Sequence, residues 1–292
     1  GGRLGAGGNG FSLFEQASPA LANLFGNSVN ATSISSGGYH TCATDQLGDV
    51  FCWGANTAGQ LSVGNTLTAS PTSTDSFGQG RTVSEISSGR YHTCTVLDNG
   101  SVSCWGLGVL GQLGNGNDFD SPSPSLVVDS NGAGLDATQV ASGGYHSCAI
   151  LQSGSVSCWG FGTEGQLGSG SFSNSTFPSS ISSLGTGRTA VALSLGEFHS
   201  CALLDNGQVS CWGSNSHGQL GNGGGTNQSS PVLTNTFGSG RTAIAISSGG
   251  WHTCAILDNG AVSCWGRGDD GQIGNGFSSN VNNPTLTSSL GA

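Results

Sequence analysis

The tripeptide Cys-Trp-Gly recurs at Cys52, Cys104, Cys158, Cys211 and Cys264, at spacings of 52, 54, 53 and 53 residues. A fixed period of this length restricts the chain to repeat architectures, in which each unit buries its apolar faces only against its neighbours. The same frame surrounds every copy. A second Cys lies ten residues earlier, at Cys42, Cys94, Cys148, Cys201 and Cys254, and two residues before it stands His40, His92, His146, His199 or His252. Seven residues after each Trp comes Gln60, Gln112, Gln166, Gln219 or Gln272, inside Gly-Gln-Leu or Gly-Gln-Ile. The spacing predicts one repeat domain over 1–292, with full repeats at about 29–80, 81–133, 134–186, 187–239 and 240–292. A partial repeat covers 1–28, where Gly2-Arg3-Leu4-Gly5 stands for Gly-Gln-Leu-Gly.

One unit reads as four short strands separated by turn signals. In the fourth copy these are Ala190 to Ser194, residues 199–204, residues 208–212 and an outer segment from Pro231 to Phe237. Four antiparallel strands every ~50 residues are the pattern of a β-propeller blade, so the fold class is all-β with five full blades and an N-terminal remnant. The apolar pairs Ile150-Leu151, Leu203-Leu204 and Ile256-Leu257 suit strands covered on both faces by neighbouring blades. Gly48, Gly100, Gly154, Gly207 and Gly260 each end a three-residue hairpin loop that needs positive φ. Counting out from Asp205-Asn206-Gly207 places Cys201 opposite Cys211 in a non-hydrogen-bonded pair, where Cα atoms approach to ~4.5 Å. Five disulfides within the hairpins are expected, Cys42–Cys52, Cys94–Cys104, Cys148–Cys158, Cys201–Cys211 and Cys254–Cys264. Reduced structural thiols and a zinc site are the alternatives, and the zinc site lacks a fourth ligand in every unit. Multiple disulfides imply an oxidising compartment, extracellular or at the cell surface.

The composition excludes several classes. Six Arg and no Lys face sixteen acids, for a formal charge of −10, so no basic stripe for nucleic acid is available. No apolar run reaches the ~18 residues of a membrane-spanning helix, so membrane insertion is not expected. Gly supplies 53 of 292 residues and interrupts any long amphipathic helix. Gly1 follows no charged-then-apolar leader, and the chain is expected to be a processed form or a fragment of something longer.

Within one repeat, Ser88-Gly89-Arg90-Tyr91-His92, Asp98-Asn99-Gly100, Trp105-Gly106 and Gly111-Gln112-Leu113-Gly114-Asn115-Gly116 follow in order. This succession resembles the repeat family named for the regulator of chromosome condensation, and the resemblance extends over essentially the whole chain. It implies a propeller, commonly of seven blades, whereas five copies and a remnant are present here. The nucleotide-exchange activity of the founding member finds no support in an acidic chain without Lys. Secreted relatives with Cys-bearing repeats, and a propeller that inhibits β-lactamases, are the nearer analogy and imply binding rather than chemistry.

The recurrent His and Trp are read as inter-blade core, the His satisfying backbone groups. One His per blade lies on a ring and cannot converge on a single metal or substrate. Gly-Gln-Leu-Gly-x-Gly lacks the Lys and the helix of a phosphate loop. His217 stands outside the repeat pattern without a nucleophile beside it, and no catalytic set, cofactor or metal is expected. Positions that vary between copies are those the fold leaves free for recognition. The inserts between Trp-Gly and Gly-Gln therefore supply the candidate binding loops, with Leu107, Val109, Leu110, Phe161, Glu164, His217, Arg267, Asp269 and Asp270. A second variable loop carries Phe119, Phe172, Phe177 and Phe277, residues that edge packing would also explain. Arg267-Gly268-Asp269 spells an adhesion tripeptide, although its Gly recurs at Gly108 and Gly162 and reads as structural. Asn30, Asn99, Asn174 and Asn227 permit glycosylation without arguing for it.

The functional expectation is a non-catalytic extracellular propeller that binds protein or glycan through its loop faces. The alternative is a structural subunit of a filament, surface layer or long repeat array. That alternative draws on an orphan outer segment around Ser18 to Phe25 and on incomplete end blades, which would recruit further copies into a homo-polymer.

Overall fold

Each repeat forms one four-stranded antiparallel sheet whose strands pair in sequence order, from an innermost first strand to an outer fourth. The computed structural model describes residues 30–64, 68–74, 77–78 and 80–288. The five blades occupy 31–73, 83–126, 137–180, 190–233 and 243–286. The partial copy and the Ser18 to Phe25 segment lie outside the described residues.

In the fourth blade the strands are Ala190–Leu195, His199–Leu204, Val209–Gly213 and Gln228–Leu233. The outer strand thus begins three residues before the expected Pro231 and ends at Leu233 rather than Phe237. The last outer strand is Val281–Leu286. The physical reason is the place of proline. Pro removes a donor and therefore looks like a boundary, but an outermost strand points alternate N–H groups at solvent. Pro124, Pro178, Pro231 and Pro284 all occupy the fourth position of their outer strands. The same residues blunt those edges against pairing with other chains.

The hairpin register is the expected one, with Cys201 opposite Cys211 and Leu203 opposite Val209. The five hairpin glycines have φ between 75° and 81°. All five pairs are disulfides, with Cα atoms 4.0 to 4.1 Å apart. Unreduced protein should weigh about ten hydrogens less than the all-thiol chain, because each disulfide removes two. Peptide mapping should join each Cys to the one ten residues on; free thiols or links between blades would contradict the fold.

Neighbouring blades are locked by one repeated set of bonds. Trp105, Trp159, Trp212 and Trp265 donate Nε1–H to the backbone oxygens of Gln60, Gln112, Gln166 and Gln219 in the preceding repeat, at 2.8 to 3.0 Å. The Gly-Gln-Leu-Gly stretch is therefore an inter-blade clamp. Its second Gly is required: a Cβ on Gly114 (φ 66°) would lie 2.7 Å from the Trp159 indole nitrogen. The recurrent His departs from expectation, for its partner is a side-chain hydroxyl of the next blade and not a backbone group. His40, His92, His146 and His199 reach Thr93, Ser147, Ser200 and Thr253 through Nε2 at 2.7 to 2.9 Å. Each hydroxyl spends its hydrogen on the oxygen of Gln60, Gln112, Gln166 or Gln219, so the imidazole Nε2–H is the donor. Burial pushes His40 down to about 4 and His92, His146 and His199 down to about 3.

Full cover on both faces holds for the inner blades only. Leu203 is 5% exposed, yet its counterpart Ile256 in the fifth blade is 44% exposed. On the opposite flank, Ile86 is 6% exposed and its counterpart Ile34 in the first blade 68%. Among the described residues no blade follows the fifth or precedes the first.

Candidate functional site

The turn from first to second strand in each blade is closed by a bond from a Gly N–H to the His carbonyl, as from Gly89 to His92 at 2.8 Å. The His side chain enters the blade interface, and the residue before it is left on the loop face. That residue is Tyr39, Tyr91, Tyr145, Phe198 or Trp251, aromatic in all five copies. Its carbonyl accepts the N–H of the first insert residue, Ala55, Leu107, Phe161, Ser214 or Arg267, at 2.8 to 2.9 Å. Aromatic corners and variable inserts thereby share one face.

The rings form an arc across the blades. Tyr39 stacks on Tyr91 with centroids 4.8 Å apart, Tyr145 on Phe198 at 6.0 Å, and Phe198 meets Trp251 edge-on at 5.5 Å. The Arg90 guanidinium lies 5.7 Å from the ring centroids of Tyr39, Tyr91 and Tyr145, and pairs with the Glu197 carboxylate two blades away. That pairing raises Arg90 further above its ordinary value, while the hydrogen bond to Tyr39 raises the Tyr91 phenol. Behind the arc lies a cavity of about 230 Å³ walled by the Ser and Gly residues of the same turns. On the first strand of the second blade, Val83–Ser88, the Glu85 carboxylate accepts the Val140 N–H at 2.9 Å, and burial raises its pKa.

The structure sorts the candidate loop residues. Phe161 packs against Tyr145 and Phe198, at 6.5 and 5.9 Å, and His217 meets Trp251 at right angles at 5.3 Å. Both belong to the arc. Leu107 and Leu110 are half-buried beside it, and Val109 is exposed. Glu164 accepts a bond from Asn227 of the next blade at 2.6 Å. Arg267 is held by Asp269 and Asp270, at 3.0 and 3.5 Å. Gly268 is structural as expected, since a Cβ there would lie 2.0 Å from the Ser279 oxygen. Phe119, Phe172 and Phe277 stand exposed on the outer loops. Phe177 is instead part of an outer strand, Ser175–Ser180, and would collide with any side chain at Gly116.

The five corner aromatics were absent from the sequence candidates. Their signal is the aromatic preceding every recurrent His, which stands inside the repeated frame and so outside the variable inserts. The opposite face is unlike this one. Its Arg81–Asp98, Arg188–Asp205 and Arg241–Asp258 pairs, at 3.2 to 3.4 Å, are partly exposed ion pairs worth about 0–1 kcal/mol each. A cavity of about 410 Å³ there is lined by Phe77, Arg81, Leu97 and Leu126. Among the described residues no group of three His, Cys, Asp or Glu could hold a metal ion.

Comparison with known proteins agrees with this architecture. The chain is 32% identical to the ultraviolet-B receptor UVR8 of Arabidopsis thaliana over 290 residues, 99% of this chain and 64% of that protein. It is 29% identical to the human E3 ubiquitin-protein ligase HERC2 over 290 residues, 99% of this chain but 6% of HERC2. The chain thus spans less than two thirds of either relative. Among solved structures, human WBSCR16 superposes with a TM-score of 0.78 at 24% identity, over 90% of this chain and 68% of that one. Yeast RCC1 (Prp20), solved bound to Kap60, superposes with a TM-score of 0.58 at 19% identity, over 89% and 75%. These two likenesses concern the fold. The family described as the RCC1-like domain matches residues 1–291, and together with the Gly-x-x-His turns, the Trp-Gly strands and the Gly-Gln-Leu-Gly clamps this places the chain in that family.

Proposed function

We propose that this chain is a non-catalytic binding propeller whose loop face recognises a protein or glycan outside the cell. The observation that carries the reading is the aromatic arc with Arg90 in its midst. Tyr, Trp and Arg dominate the energetics of recognition surfaces, the aromatics because they bury large areas at low entropic cost and Arg because its planar fork stacks on rings and bonds several acceptors. The extracellular setting is supported by a disulfide in every blade.

The test is a screen of a secreted-protein display library and a glycan array with the wild-type chain and three variants. Trp251→Ser and Val109→Ser should lose the wild-type ligands by about tenfold in affinity, with melting nearly unchanged, because truncating a hot-spot side chain costs ~2 kcal/mol. Arg241→Ala, on the opposite face, should retain them. Ligands that persist on both loop-face variants would reject the reading.

A second reading, self-assembly into a filament or layer, is favoured by the flanks at Ile34 and Ile256. Within the chain, surfaces of these two kinds pack against one another at every blade junction. His252 is half-buried and meets no hydroxyl among the described residues, unlike His199. Light scattering of the 292-residue chain should show concentration-dependent growth under this reading; a monodisperse monomer rejects it.

A further inference from the structure

The aromatic arc has two halves that differ in what lies on the rings. At one end the chain seats a cation of its own: Arg90 between Tyr39, Tyr91 and Tyr145, with the Glu197 carboxylate closing the pair. At the other end, Trp251 is flanked edge-on by Phe198 and His217 and is half-buried. No guanidinium of the described residues lies over its ring. Arg267, whose N–H bonds the Trp251 carbonyl at 2.9 Å, is drawn onto Asp269 and Asp270 instead.

Charge points the same way. Among the described residues, the loops of this face carry the carboxylates Asp118, Asp120, Glu164, Glu197, Asp269 and Asp270 against the guanidiniums of Arg90 and Arg267, both already paired. Asp270 is exposed, in the loop position from which Glu164 and His217 each reach the next blade. A π-face beside surplus carboxylates attracts cations and repels anions.

Resting on the loop-face reading above, we propose that the Trp251 end of the arc takes an arginine- or lysine-bearing segment of a partner protein, seating its cation as the chain seats its own Arg90. The partner's side chain lies over the indole ring, and Asp269 and Asp270 supply the counter-charge. The net charge of −10 steers a basic partner toward the chain as a whole, and the arc gives it a place to dock.

The experiment is a fluorescence-anisotropy titration of the full chain with three labelled probes: an alternating Arg-Gly peptide, its Glu-Gly counterpart, and a neutral hexasaccharide. The Arg-Gly probe should bind and the other two should not. Trp251→Ser should weaken the Arg-Gly probe about tenfold and Trp251→Phe should restore most of the affinity, as expected for a cation over an aromatic face. The double change Asp269→Asn/Asp270→Asn, which also frees Arg267, should weaken it about fivefold or more. Circular dichroism and melting of each variant establish that it is folded. No binding of the Arg-Gly probe, or equal binding to wild type and all variants, overturns the proposal. Binding of the Glu-Gly probe or the hexasaccharide that is lost in Trp251→Ser also overturns it, while leaving the loop face as the recognition surface. Failure of the loop-face reading itself shows separately, as library ligands insensitive to both Trp251→Ser and Val109→Ser.

Discussion

Trp159→Ala should lower the free energy of unfolding by about 3–5 kcal/mol, a large part of the stability of an ordinary domain. The indole is fully buried between the second and third blades, in a cluster with Val96, Val102, Leu113 and Val140. Its truncation leaves a cavity and also removes one of the two bonds on the Gln112 carbonyl, which accepts the indole N–H at 3.0 Å and keeps the Ser147 hydroxyl. The rigid Gly114 turn packed on the ring cannot follow the shrinking side chain inward without leaving its φ of 66°. Trp159→Phe, which keeps most of the volume and loses the donor, should fall between wild type and Ala. Denaturant melts of the three proteins check this. A loss below about 1 kcal/mol for the Ala variant would show that the blade interface repacks, contrary to a junction made of interlocked turns.

Acid should destabilise the propeller steeply, well before most carboxylates titrate. An unfolded histidine takes a proton near pH 6.5, whereas His40, His92, His146 and His199 in the folded chain resist it down to about 4, 3, 3 and 3. The cause is desolvation. Each ring is enclosed between blades, donates Nε2–H to a hydroxyl, and has no partner for Nδ1. Below pH 6.5 the unfolded chain binds protons that the folded chain refuses, so stability is complete above that pH and falls as the pH drops toward the folded values. Each buried His contributes a slope of on the order of 1.4 kcal/mol per pH unit in that window. Unfolding at pH 5 should therefore take up about four protons from these residues. Glu85, whose pKa burial raises, opposes them by at most about one proton near its own titration. Melting temperatures from pH 7.5 to 4.5, analysed for proton uptake, test the count. His146→Gln should remove about one proton from it. A pH-independent melt between 6.5 and 5 would mean that the rings accept protons in place.

Much of the fold was legible in the chain because repetition turns one sequence into five experiments. The ten-residue Cys spacing and the Gly at the hairpin corner define the register of each inner hairpin, and Cys201 meets Cys211 as counted. The outer strand of the fourth repeat begins three residues before the expected Pro231 because proline has opposite meanings in an inner and an edge strand. Which meaning applies at Pro231 depends on what lies beside it, and that is a property of the sheet. The histidine partners were hidden for a related reason. Thr93 and Ser147 stand next to each blade's first Cys as ordinary strand residues, and only blade stacking brings them to His40 and His92.

The site divides along the same line. Local chemistry, read along the chain, determined which loops are free of the fold's demands, and Phe161 and His217 do lie on the arc. It also determined that the Gly of Arg267-Gly268-Asp269 serves the backbone, since the same Gly recurs between unlike neighbours. What only the stacked blades decided is which residues from different repeats meet. Arg90 and Glu197 are 107 residues apart in the chain, yet they pair because their turns converge on one axis. Ile256 differs from Leu203 in exposure, not in pattern, because cover is a relation between two blades. A periodic sequence specifies its unit by short-range geometry, and the contacts that make a surface arise from how many units stack and at what angle.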